Sequence, residues 1–184
     1  MLNRRELIQP LFVPAPHPAS LDSVSLLEQC SITRNRATGP GGQHRNKVET
    51  HVTVTHDATG VSGQAGERRS PEVNKRAAIR RLRLALAVAC RAPVPIGEIG
   101  SDMWRGRVRG GTIALNERHR DFPSMLAEAL DVVYSSGLDV KRAALRLECT
   151  PSQLTKLIAK DTPALAALNE ARSARGQRPL QARK

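Results

Sequence analysis

Apolar residues recur along this chain with two different periods. Between Val48 and Thr55 they alternate: Val48, Thr50, Val52 and Val54 fall on one face, and Glu49, His51, Thr53 and Thr55 on the other. A period of two predicts a half-buried strand. Asp57-Ala58-Thr59-Gly60 is turn chemistry, and Val61–Ala65 returns as the second strand of a hairpin. A short strand is expected before them, over Cys30–Arg34. After Ser70 the period lengthens. Ala78, Leu82, Ala85, Leu86 and Ala89 recur at three- and four-residue intervals, which is one apolar face of a helix. Ser70 as N-cap, Pro71 at the first helical position and Glu72 in the first turn start it. Pro93 and Pro95 require it to end near Arg91. Its opposite side carries Lys75, Arg76, Arg80, Arg81 and Arg83.

The remainder is punctuated by proline and glycine. Pro10, Pro14, Pro16 and Pro18 deny residues 1–19 both helix and ladder hydrogen bonds, so a mobile lead-in is expected there. Leu21–Gln29 fits a short helix with Ser20 as its N-cap. Residues 92–121 read as irregular, with one short strand over Thr112–Leu115. From Phe122 the period is helical again. Pro123–Ser135, Val140–Leu147, Pro151–Ala159 and Pro163–Arg175 read as four helices, separated by Gly137, Thr150-Pro151 and Thr162-Pro163. The expected organisation is a lead-in with a short helix (1–29), a sheet-and-helix domain (30–91), an irregular linker (92–121), a helical domain (122–175) and a disordered basic tail (176–184). The fold class is α+β, a small mixed sheet packed on a long basic helix and followed by a helical region.

Charge adds a partner to this picture. The 184 residues carry a net charge of +12, and the sequence pI is about 10.9. The excess is concentrated. Residues 34–109 hold fifteen basic and six acidic side chains, and residues 171–184 hold five basic and none acidic. Residues 110–170 hold seven basic and eight acidic. Such clustering is the footprint of a polyanion, RNA or DNA before an anionic membrane surface, and the basic loop beside the basic helix face favours RNA. No apolar run approaches the roughly 20 residues of a membrane span. The early prolines interrupt the stretch where a signal-peptide core would lie, so a cytoplasmic protein with no membrane partner is expected. Cys30, Cys90 and Cys149 are far apart and form no metal-ligand spacing, so neither metal nor cofactor is expected.

The candidate chemistry lies in the loop between the first two strands. Thr38-Gly39-Pro40-Gly41-Gly42-Gln43-His44-Arg45-Asn46-Lys47 concentrates glycines, which cost backbone entropy and need a reason such as a tight turn or a close approach. The block Arg36–Thr50, the turn from Thr55 to Gly60, Glu67-Arg68-Arg69-Ser70 and Asn74-Lys75-Arg76-Ala77 follow one another in an order that resembles the catalytic domain of bacterial class I peptide-chain release factors and their ribosome-rescue relatives. The resemblance covers roughly residues 30–91. It implies hydrolysis of the ester joining a nascent peptide to its tRNA, with Gly41, Gly42 and Gln43 as the catalytic tip. A Gly-Gly tip enters a narrow RNA cavity where side chains would clash. The resemblance assigns the Gln43 backbone N–H to the developing oxyanion, a contribution of about 3 kcal/mol, and its side chain to placing the water. No general base is evident in the motif. Arg36, Arg45, Lys47, Arg69, Lys75 and Arg76 are the candidate phosphate contacts with ribosomal RNA. The implied partners are the ribosome, peptidyl-tRNA and a methyltransferase acting on Gln43.

Release factors that read stop codons carry a decoding domain, for which 184 residues leave no room. The rescue relatives replace it with a basic C-terminal tail, which points to codon-independent action and adds Arg172, Arg175 and Arg178 to the candidate RNA contacts. Val140–Lys160 resembles a helix-turn-helix, with Glu148 standing where that motif usually carries glycine. The near-neutral charge of residues 110–170 favours a bundle that docks on ribosome or protein over one that reads DNA. The alternative is a helix-turn-helix nucleic-acid-binding regulator without hydrolase activity.

Overall fold

A computed structural model describes residues 9–35, 50–96 and 99–181. In chain order its elements are β1 (Leu11–Phe12), α1 (Ser23–Leu27), β2 (Cys30–Asn35), β3 (His51–His56), β4 (Ser62–Ala65), α2 (Pro71–Ala89), β5 (Cys90–Arg91), α3 (Asp102–Arg107), β6 (Val108–Arg109), β7 (Thr112–Ile113), α4 (Phe122–Ser135), α5 (Val140–Arg146), α6 (Pro151–Ala159) and α7 (Thr162–Ala174). They divide into two compact units. Residues 21–86 form one, and the residues on either side of that span form the other.

The first unit is a three-stranded sheet against a helix. Its strands are ordered β2-β3-β4 and pair antiparallel throughout. The alternation in β3 is realised with Val52 and Val54 fully buried. They share the buried side with Ala65 of β4 and with Ala78, Leu82 and Leu86 of α2. Burying a Leu or Val side chain stabilises by about 1.5–3 kcal/mol, so these few residues carry much of the unit. β4 reaches α2 closely because residue 63 is glycine. A Cβ there would lie 2.2 Å from the Leu82 amide nitrogen and 2.4 Å from the Ala78 carbonyl oxygen. Helix α1 begins two residues later than expected, because the Asp22 carboxylate rather than Ser20 accepts the amides of Val24 and Ser25, at 2.8 and 3.1 Å.

The second unit is mainly helical. The expected helices from Phe122 onward are present within a residue or so of their predicted ends. Met125, Leu126, Leu130, Val133, Leu147, Leu154, Ile158 and Leu168 build its core. Helix α3 was not expected from the glycine-rich stretch. Ser101 caps it by accepting the Trp104 amide at 3.1 Å, and the buried Trp104 indole donates to the Leu147 carbonyl at 2.9 Å. Arg91 is also buried. Its guanidinium donates to the Ala87 and Val88 carbonyls at the end of α2 and lies 4.3 Å from the Tyr134 ring centroid. A cation at a helix C-terminus offsets the helix dipole. Burial pushes the thiols of Cys90 and Cys149 up to about 11, which keeps them protonated and unreactive.

Both ends of the described chain are tied down, contrary to the expectation for proline-rich and charged termini. Leu11–Phe12 pairs parallel with Cys90–Arg91. His17 is buried and within 3.3 Å of the Cys90 carbonyl. Proline blocks donation, but a two-residue edge pairing needs few donors. At the other end, Asn169 exchanges two hydrogen bonds with the Leu180 backbone, and Arg172 donates to the Arg178 carbonyl. Residues 176–181 therefore fold back along α7.

Candidate functional site

The base of the tip loop is a rung of the antiparallel sheet. Asn35 at the end of β2 pairs with His51 at the start of β3. Residues 36–49 lie outside the described residues. With them lie the expected catalytic residues Gly41, Gly42 and Gln43 and the expected RNA contacts Arg36, Arg45 and Lys47.

What the structure describes is the clamp on the returning strand. Asn74 is fully buried in the first turn of α2. Its side-chain amide donates to the Thr50 carbonyl at 2.6 Å and to the Arg68 carbonyl at 2.8 Å, and its side-chain oxygen accepts the Arg68 amide at 3.0 Å. One side chain thus joins the start of β3, the approach to α2 and α2 itself. Gly66 closes the same corner. A Cβ on it would come within 2.6 Å of the His51 ring. Composition alone did not single out Asn74. It stands in the sequence only as part of the Asn74-Lys75-Arg76-Ala77 run, and its place in the first turn of a helix that packs on a sheet is the signal for a buried amide with backbone partners.

The far end of β3 is held by His56, which is 2 % exposed. Its Nδ1 lies 2.8 Å from the Thr59 hydroxyl, and its Nε2 lies 3.2 Å from the Gln29 side-chain oxygen. Gln29 Oε1 only accepts, so Nε2 carries the proton and Nδ1 accepts from Thr59. Burial holds the imidazole below the ordinary histidine range, opposed by the neighbouring Asp57 charge. Gly60 closes the turn at φ +68°, where a side chain would be strained. The His-x-x-Thr-Gly sequence therefore forms the turn between β3 and β4, anchored to Gln29 through His56.

The basic face of α2 separates into two groups. Arg81 donates to Glu67 at 2.7 Å and to the Gln64 carbonyl, and Arg83 donates to the Leu21 carbonyl at 2.5 Å. These two arginines hold the unit together. Arg69 and Arg76 are exposed and Lys75 is half-exposed. The Arg76 side chain meets only Glu72 at 3.7 Å among the ion pairs of the described residues. An exposed i,i+4 pair of that length contributes little, and it leaves the guanidinium available to phosphate. In the other unit Arg175 and Arg178 are exposed, while Arg172 is half-buried and holds the folded-back end. No helix among the described residues is long and apolar enough to cross a membrane.

A family profile described as the RF-1 domain matches residues 25–93. The chloroplastic peptide chain release factor PrfB1 of Arabidopsis thaliana is 48% identical over 61 residues, which cover 33% of this chain and 13% of that protein. Peptide chain release factor 2 of Sulfurovum sp. is 45% identical over 55 residues, 30% of this chain and 15% of that one. A peptide chain release factor homolog of Escherichia coli is 49% identical over 43 residues, 23% of this chain and 21% of that one. The chain thus spans between about an eighth and a fifth of the length of these relatives. No solved structure matches it.

Proposed function

We propose, from the likeness of residues 25–93 to the RF-1 domain and to peptide chain release factors, that the chain hydrolyses the ester bond of peptidyl-tRNA on the ribosome, without reading a codon. The observation that carries this reading is the RF-1 match itself, because the matched span includes Gly41-Gly42-Gln43 between two strands that pair at Asn35 and His51. In this reading the tip enters the RNA cavity. The Gln43 backbone N–H donates to the oxyanion that forms when water attacks the ester, and the Gln43 side chain helps to place that water. Asn74 and the rung at its base set where the tip is presented. Arg36, Arg45, Lys47, Arg69, Lys75 and Arg76 contact ribosomal RNA phosphates, which position without selecting sequence. Arg172, Arg175 and Arg178 of the second unit are further RNA contacts in this reading.

Codon independence is supported by the extent of the match. It ends at residue 93, and the residues after it fold as a helical unit of different character. In this reading the chain works in the cytoplasm, in termination or rescue of stalled ribosomes. Gln43 is a substrate for a glutamine methyltransferase, and neither metal nor cofactor takes part.

The test is peptide release from ribosomes holding peptidyl-tRNA on an mRNA truncated after the last sense codon. The wild-type chain releases peptide, and Gln43→Ala, which keeps the backbone N–H but removes the side chain that helps to place the water, releases it more slowly. Equal release by Gln43→Ala and the wild type would overturn the assignment. Equal release on intact stop-codon and truncated templates would overturn the preference for stalled ribosomes.

A further inference from the structure

The net charge of residues 110–170 conceals a basic cavity. The acidic side chains of that segment are mostly turned to structural use. Asp121 pairs with Arg107 at 2.8 Å. Glu128 accepts the Ser101 amide and hydroxyl, Asp131 accepts the Ala92 amide, and Asp161 caps α7. None of these four lines the opening between α5, α6, α7 and the folded-back residues 177–181. That opening has a volume of about 520 Å³. Lys141, Lys156, Arg172, Ser152 and Gln177 are among its lining residues, and Asp139 is the one carboxylate among the described residues that line it. Asp139 commits its Oδ1 to the backbone amides of Lys141 and Arg142, at 2.9 and 3.2 Å. Lys141 and Lys156 are exposed and make no ion pair among the described residues. Arg172 is held in place by its bonds to the Leu138 and Arg178 carbonyls, so its charge is fixed on the wall.

From this geometry we infer that the cavity is a second RNA contact, which seats backbone phosphate of an RNA helix against Lys141, Lys156 and Arg172. A concave wall with two ammonium groups and one immobilised guanidinium against the single Asp139 carboxylate among its described lining residues is net positive, and anions collect at its mouth. Ser152 adds a hydroxyl donor suited to phosphate oxygen. The exposed side of α6 argues against base reading in a DNA major groove. Its exposed residues are Pro151, Ser152 and Lys156, and Gln153 directs its side-chain oxygen to the Ile113 amide at 3.5 Å. Bidentate Arg, Asn or Gln contacts to base edges are the usual means of such reading, and this face offers none. Recognition through phosphates and helix shape is the mode that double-helical RNA allows. The choice of RNA rests on the ribosomal reading above, whereas the phosphate site rests on the cavity alone.

The experiment measures binding of the full chain to an RNA hairpin, and to a DNA hairpin of the same sequence, over a series of salt concentrations. In the Lys141→Ala/Lys156→Ala double variant, RNA affinity falls by about tenfold and the slope of log affinity against log salt falls by about 2. The Lys141→Arg/Lys156→Arg variant keeps both. Arg109→Ala removes an exposed charge elsewhere in the same unit and leaves the slope within one contact of the wild type. Circular dichroism establishes that each variant is folded. An unchanged slope in the double alanine variant overturns the site, as does an equal loss in Arg109→Ala. Tighter binding of the DNA hairpin overturns the choice of RNA. Gln43→Ala keeps the full slope while losing release. A failed hydrolase assay and a failed phosphate site are therefore separate results.

Discussion

The side-chain amide of Asn74 donates to the Thr50 carbonyl oxygen at 2.6 Å, from a position with no solvent exposure. This bond joins the first turn of α2 to the residue from which β3 begins, directly after the tip segment. Asn74→Leu preserves volume but leaves the Thr50 and Arg68 carbonyls and the Arg68 amide without this partner. Buried unsatisfied groups cost about 1–3 kcal/mol each. The expected loss of stability is about 3 kcal/mol in urea denaturation, and the rate of peptide release falls with it. A variant as stable as the wild type would show that water or other groups replace the clamp.

Gly63 tests the packing of the sheet on α2. Gly63→Val places a branched side chain where a Cβ already sits 2.2 Å from the Leu82 backbone. Backbone cannot give way as a flexible side chain can, so the strand or the helix must move, at a cost of about 3 kcal/mol. Gly60→Ala provides the contrast. Open space surrounds Gly60, but its φ is +68°, and the left-handed backbone makes alanine cost about 1–2 kcal/mol. Melting temperatures should therefore order wild type above Gly60→Ala above Gly63→Val. A reversed order of the two variants would contradict the close approach of β4 to α2.

Much of this arrangement was legible in the sequence because it depends on local period and local chemistry. Val52 and Val54 alternate because one face of β3 is buried, and Ala78, Leu82 and Leu86 repeat because one face of α2 is. Two of the four C-terminal helices, α6 and α7, announce themselves through Thr150-Pro151 and Thr162-Pro163 starts. Contacts between residues distant in sequence left no such trace. Asn74 was read as part of a motif, yet its bonds reach 24 and 6 residues away. The charged end reads as a frayed terminus in the sequence, because nothing in Arg172 or Asn169 shows that their partners are the Arg178 and Leu180 backbone. Segment charge carries no record of such placement either. Lys141 and Lys156 meet at one opening only after Asp121, Glu128, Asp131 and Asp161 have been directed elsewhere.

Two buried groups give the two units opposite responses to pH. Burial holds the His56 imidazole below its ordinary 6.5. The folded chain therefore prefers the neutral ring, and the stability this contributes is complete above about pH 6.5. It is lost as pH falls through the lowered value. Burial pushes the Asp131 carboxyl from 3.8 up to about 7, against the opposing effects of the Ala92 amide and the Arg91 charge. That group holds its proton in the folded state, so its contribution is complete below pH 3.8 and disappears as pH rises through about 7. Hydrogen exchange should show amides of α4 opening more readily at pH 8 than at pH 5. Asp131→Asn keeps an acceptor for the Ala92 amide and should remove that difference, with a gain of about 1–2 kcal/mol at pH 8. A pH response of α4 that survives Asp131→Asn would assign it to another group.

Glu148 occupies the turn between α5 and α6 with φ +52°, the conformation that glycine adopts without penalty. It is exposed, so replacing it removes no burial. Its neighbours Leu147 and Cys149 are buried, and the turn must keep its shape to hold both in the core. A left-handed non-glycine residue costs about 1–2 kcal/mol. Glycine at this position returns part of that, less about 0.5–1 kcal/mol for the greater freedom it gives the unfolded chain. Glu148→Gly should therefore stabilise the second unit by about 0.5 kcal/mol. Glu148→Val should destabilise it by about 1 kcal/mol, because a β-branched side chain tolerates positive φ least. Chemical denaturation followed by helical circular dichroism separates the two. If glycine and valine destabilise alike, the turn is not left-handed at residue 148, and the likeness of α5 and α6 to a helix-turn-helix loses its backbone support. If they diverge as expected, the glutamate is a tolerated substitution in a turn whose geometry belongs to that motif. The orientation that brings Lys141 of α5 and Lys156 of α6 to one cavity then follows from the turn.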